Sequence, residues 1–104
     1  MDTINNFIRA ETVATFVKES DEFQFEKYRK FFEKQIIICA KQAQTNTTLK
    51  IEENASSYLR DMLRKTILNA GFSCTDWCFF EGKSNCWYEI TVSWKNFVEN
   101  EKNN

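Results

Sequence analysis

Three consecutive pieces of the chain decide its fold: Phe72-Ser-Cys-Thr-Asp-Trp-Cys-Phe-Phe80, then Glu81-Gly-Lys-Ser-Asn85, then Cys86-Trp-Tyr-Glu-Ile-Thr-Val-Ser-Trp94. The last piece alternates cleanly. Cys86, Tyr88, Ile90, Val92 and Trp94 fall on one side, and Trp87, Glu89, Thr91 and Ser93 on the other. A period of two marks a strand with one buried face. In the first piece Phe72, Cys74, Cys78 and Phe80 match the buried side. The polar middle piece, with Gly82, reads as the turn of a β-hairpin. If the two buried faces coincide, paired positions sum to an even number and the loop has odd length. On that register Trp77, Phe79 and Trp87 stand together on the outer side of the sheet.

Working toward the N-terminus, Leu59, Met62, Leu63, Thr66, Ile67 and Ala70 recur at helical spacing. Asn54 or Ser56 caps this helix, and Gly71 supplies a left-handed C-cap. Residues 46–52 alternate as a short strand, with Thr47, Leu49 and Ile51 on one face. Residues 22–43 form a long helix whose apolar face is Phe25, Tyr28, Phe32, Ile36, Cys39 and Ala43. Ser20 and Asp21 read as a break and an N-cap. Before them, residues 3–18 form a separate helix carrying Ile4, Phe7, Ala10, Ala14 and Val17. Phe31, Ile37 and Ile38 fit no buried face. Either the N-terminal helix packs on them or a partner does. The tail from Asn96 is polar and is expected to fray.

The expected order is therefore α-α-β-α-β-β. Helices cover one face of a three-stranded, mainly antiparallel sheet, an α+β layer pair. The 104 residues fit one domain. Residues 1–20 are its N-terminal helix, 21–95 its body and 96–104 its tail.

Composition excludes much chemistry. There is no histidine, so no imidazole can activate a serine or cysteine nucleophile or ligate a metal. Two glycines cannot build a phosphate-cradling loop. An enzyme is not expected. The net charge of −1 argues against both a DNA mimic and a strongly basic nucleic-acid binder. Charge is nevertheless segregated: −3 over residues 1–24, +4 over 25–70 and −2 over 71–104. No leader-like N-terminus and no membrane-length apolar run is present, so the cytoplasm is the expected compartment and the thiols should be reduced.

Three features are candidate sites. Cys39, Cys74, Cys78 and Cys86 could ligate one structural zinc ion, or serve as small buried hydrophobes. In a regular strand Cys74 and Cys78 stand roughly 13 Å apart, too far for one ion unless Thr75-Asp76-Trp77 turns. The outer aromatics Trp77, Phe79 and Trp87 suit a protein interface, unless the first helix or Asn96-Phe97-Val98 covers them. Lys27, Lys30, Lys34 and Lys41 lie on the solvent side of the long helix, with Arg60, Arg64 and Lys65 on the next. They could meet phosphates or an acidic surface, or be a solvated face.

The abundance of Asn, Lys, Phe and Ile without proline, the Gly71-Phe72 junction and the strand Tyr88-Glu-Ile-Thr-Val-Ser-Trp94 together resemble small early phage proteins, and among them the type II anti-CRISPR proteins. The resemblance implies a non-enzymatic, stoichiometric inhibitor of a host defence nuclease. Its partner would be Cas9 or the Cas9–guide-RNA complex in the host cytoplasm, and the inhibitor would act as a monomer or homodimer. At −1 the chain departs from acidic DNA mimics. Docking would then use Trp77, Phe79 and Trp87, supported by Lys27, Lys30 and Lys34. The alternative is a nucleic-acid-associated regulator using the basic helix face and Arg64.

Overall fold

A computed structural model describes residues 7–102. The elements are α1 (Ala10–Lys41), β1 (Asn46–Glu52), α2 (Ser57–Asn69), β2 (Ser73–Cys74), β3 (Cys78–Glu81), β4 (Cys86–Ser93) and α3 (Lys95–Lys102). The fold is α+β. β4 is central; β1 pairs along one side of it, and β2 and β3 share the other, all antiparallel. β2 and β3 are two pieces of one interrupted strand. α1 and α2 cover the face that carries Leu49, Ile51, Ile90 and Val92. With Phe32, Leu59, Leu63 and Ile67 these residues make the core.

The expected break at Ser20-Asp21 does not form. α1 is one helix of 32 residues. Only glycine and proline disrupt a helix strongly, and this stretch has neither. Asp21 works at a different helix end. Its carboxylate accepts a hydrogen bond from Ser56 Oγ at 3.1 Å, and that Oγ accepts the Leu59 N–H at 3.0 Å, capping α2. Residues 3–6 of the expected first helix lie outside the described residues.

A single α1 has a geometric consequence. At 1.5 Å per residue it is roughly 48 Å long, whereas α2 beside it has 13 residues. The first third of α1 therefore overhangs the body, and every residue from Ala10 to Ser20 is exposed. The chain measures 76 × 34 × 20 Å, with a radius of gyration of 18.7 Å. A compact chain of this length has about 13 Å. The accessible surface is 8063 Å², where the size scaling gives roughly 6,100 Å².

The hairpin departs from its expected register. Ser73 and Cys74 pair with Ser93 and Val92, but Cys78, Phe79, Phe80 and Glu81 pair with Glu89, Tyr88, Trp87 and Cys86. Three residues, Thr75 to Trp77, thus oppose two, Ile90 and Thr91. That is a β-bulge, and it moves every later side chain to the other face. Thr75 stabilises it twice over: its N–H donates to the Thr91 carbonyl at 3.0 Å, and its hydroxyl accepts the Thr91 N–H at 3.1 Å. The loop Gly82–Asn85 has an even number of residues, correcting the odd-length expectation. Gly82 is needed there, because a Cβ would lie 2.9 Å from the Trp87 ring.

Both ends of α2 follow the sequence reading, with Ser56 as the cap and Gly71 at φ +100°. The frayed tail is corrected: Lys95–Lys102 is α3. Its Phe97 ring sits against Gly71 and, with Ile36, Ala40, Phe72 and Trp94, lines a recess of about 360 Å³.

Candidate interaction surfaces

The bulge redistributes the three aromatics expected to share the outer face. Trp77 turns inward at the interruption. Its Nε1 donates to the Arg60 carbonyl at 2.9 Å, and its ring centroid lies 6.4 Å from that of Phe32. Trp77 packs against the core and does not belong to an outer cluster. Phe79 also takes the helix side, opposite Tyr88, with ring centroids 5.0 Å apart. Arg60 lies over the Tyr88 ring at 3.9 Å. Of the three, Trp87 alone is outside.

Phe80, assigned to the core by alternation, takes the place of the other two. It stacks on Trp87 at 6.0 Å with an interplanar angle of 13°. Lys50 of β1 approaches the Trp87 ring at 5.4 Å. The Trp87 Nε1 donates to Glu89 Oε2 at 2.6 Å, and Lys50 pairs loosely with the same oxygen at 3.9 Å. Beyond them Thr48 and Thr91 meet hydroxyl to hydroxyl at 3.3 Å. The helix-free face of the sheet therefore carries one aromatic stack, oriented by a carboxylate and edged by one cation. Trp87 also reaches a groove of about 430 Å³ beside β1, where Tyr28, Phe31 and Ile51 supply the apolar wall.

The signal for Phe80 was present in the sequence but split. Trp77, once buried, needs a partner for its N–H, and Asp76 is a weak strand former. Together they mark an interruption that alternation alone does not register.

The bulge also separates the cysteines. Cys74 faces the helices opposite Val92, whereas Cys78 faces outward opposite Glu89. Cys86 lies at the far end of β4, and Cys39 donates to Thr47 Oγ1 at 3.3 Å. The turn at Thr75–Trp77 exists, but it sends Cys78 away from its neighbours. Among the described residues no three Cys, Asp or Glu side chains come together as a metal site. Burial raises the pKa of Cys74. Burial, then Glu53 and Glu81, raise that of Cys86. Both stay thiols at neutral pH.

The cations divide into two sets. Arg64 is held at the bulge: its Nε donates to the Thr75 carbonyl at 3.1 Å, and its guanidinium lies 3.3 Å from Asp76. On α1, Arg29 bridges Glu26 and Glu33, which lowers the pKa of Glu26. Lys27, Lys30, Lys34 and Lys41 form no ion pair among the described residues. Arg64 is thus engaged at the bulge, whereas the lysines of α1 are not engaged in ion pairs among the described residues. Among the described residues, no helix is long and apolar enough to cross a membrane.

No family model, curated protein or solved structure matches the chain.

Proposed function

We propose that this chain works by stoichiometric binding of a protein rather than by catalysis, and that the helix-free sheet face around Phe80 and Trp87 is the docking surface. The observation that carries the reading is the Phe80–Trp87 stack, presented on the side of the sheet that neither α1 nor α2 covers. Tryptophan flanked by a second ring and a cation is the kind of anchor that dominates protein interfaces. The Glu89 carboxylate holds the Trp87 indole before a partner arrives, so little side-chain entropy is lost on docking. Arg64, engaged at the bulge, gives little support to the alternative nucleic-acid reading.

The resemblance to anti-CRISPR proteins supplies the first partner to test, a Cas9–guide-RNA complex. DNA cleavage by that complex is titrated with the chain and with a Phe80→Ser, Trp87→Ser double variant whose fold is checked by circular dichroism. Cleavage should stop near a one-to-one ratio of chain to complex, and the double variant should need at least a hundredfold more. Full cleavage at tenfold excess of the chain would remove Cas9 as the partner. Inhibition by the variant equal to that of the wild type would remove this face as the docking surface.

A further inference from the structure

One edge of the sheet is open. β1 pairs with β4 on one side and with no strand on the other among the described residues. The Trp94 N–H donates to the Thr45 carbonyl at 2.9 Å, so the odd-numbered residues of β1 direct their backbone groups at β4. Asn46, Thr48, Lys50 and Glu52 direct theirs outward. Glu52 is closed off: its N–H donates to the Tyr28 hydroxyl at 3.5 Å, and its carbonyl accepts the Ala55 N–H at 3.1 Å. The backbone groups of Asn46, Thr48 and Lys50 meet no hydrogen-bond partner among the described residues, and all three residues are exposed. Sheets ordinarily protect an edge by shortness, a bulge, a proline or a lysine. β2 and β3 are short and separated by the bulge, whereas β1 runs unbroken for 7 residues. Its Lys50 turns over the sheet face to the Trp87 ring and leaves the edge bare.

α1 overhangs this edge. It runs opposite to β1, with Tyr28 reaching Glu52 and Cys39 reaching Thr47. Eleven helical residues and five strand residues both span about 16 Å, so the two elements stay level. Phe31 and Ile38 lie about 60° and 80° round the helix from Tyr28, on the side away from Phe32. Both are exposed, at 50% and 40%. Lys27 and Lys34 follow at about 100° and 120°. Phe31 already lines a groove with Lys50, Ile51 and Trp87, in which Glu52 is the acidic residue. The edge thus has an apolar wall with a lysine rim, and Lys27 and Lys34 form no ion pair among the described residues.

We infer that this edge receives an extended segment of a partner protein, added as a further strand beside β1, with apolar and acidic side chains in alternation. The outward backbone groups of Thr48 and Lys50 fix the segment as a strand. Its helix-side residues meet Phe31 and Ile38. The alternate residues fall beside Thr48 and Lys50, where a carboxylate opposite Lys50 is a favourable cross-strand pair. Lys27 and Lys34 add positive charge above it. A second copy is the wrong occupant. Lys34 stands level with the middle of β1, so a two-fold axis there sets it against its own symmetry mate; one residue along, Lys50 meets its mate. The inference rests on the reading that the chain binds a protein, and Trp87 joins the edge groove to the sheet face.

The probe is a capped heptapeptide of alternating valine and glutamate, titrated into the isotope-labelled full chain and followed by NMR. A valine–lysine peptide is its counterpart. The glutamate peptide should shift the Thr48 and Lys50 amides saturably at a one-to-one ratio and slow their hydrogen exchange. The lysine peptide should bind at least tenfold more weakly. Thr48→Pro should abolish binding, because proline removes an outward N–H and no bond to β4. Lys27→Glu with Lys34→Glu should weaken the glutamate peptide at least tenfold and strengthen the lysine peptide, an exchange that a misfolded variant could not produce. No shift at Thr48 and Lys50, equal binding of the two peptides, or binding indifferent to Thr48→Pro would overturn the inference. So would Thr48 and Lys50 amides already protected in a free chain that sediments as a dimer, which gives the edge to a second copy. The titration contains no nuclease, so it can fail while the Phe80–Trp87 reading stands, and the Cas9 titration can fail while the peptide still binds.

Discussion

Phe32→Ala should lower the stability of the chain by about 4 kcal/mol, the middle of the range for truncating a buried aromatic. Phe32 is the one fully buried residue on the 32-residue α1. It shares the core with Leu49, Ile51, Ile90 and Val92 of the sheet, and its ring meets that of Trp77 at 6.4 Å, so it ties α1 to both the sheet layer and the bulge. Small domains have roughly 5–15 kcal/mol in total. The loss should therefore shift the urea midpoint strongly, and α1 helicity should disappear together with the tertiary signal. If α1 stayed folded while the sheet melted, Phe32 would not be the anchor.

Trp77→Ala and Trp87→Ala should behave oppositely. Trp77→Ala should cost about 3 kcal/mol, because it removes the ring from the core margin and leaves the Arg60 carbonyl without the indole N–H. Trp87→Ala should cost about 1 kcal/mol or less, since the ring lies on the open face and loses its stack with Phe80 and its bond to Glu89. Partner binding should follow the reverse order. Urea unfolding of both variants decides the matter, and equal losses would contradict the placement of the two rings.

Much of this fold is legible in the sequence, and the failures have local causes. Alternation fixed β1 and β4, because Leu49, Ile51, Ile90 and Val92 are fully buried and their neighbours are polar. Ser56 and Gly71 bounded α2 through their caps. Ser20-Asp21 misled because an N-cap pair can equally well sit mid-helix when its carboxylate serves a different helix, here α2 through Ser56. Parity sets the faces of unbroken strands. One extra residue at Thr75–Trp77 leaves no mark on hydrophobic periodicity, yet exchanges the faces of Cys78, Phe79 and Phe80. The tail misled because a short polar segment carries little helical signal, while Phe97 docking against Gly71 gives it a place to rest.

That bulge decides which side chains stand on the outer face, and thiol alkylation tests it most directly. The folded chain is treated briefly with iodoacetamide at pH 7.5, and the modified cysteines are located by peptide mass spectrometry. Cys78 should react at least tenfold faster than Cys74. Cys78 is exposed on the outer face, whereas Cys74 is half-buried with a pKa raised by burial, which keeps it a poor nucleophile. Protection of Cys78 to the level of Cys74 would place both on the core side, restore the unbroken register and contradict the Phe80–Trp87 surface.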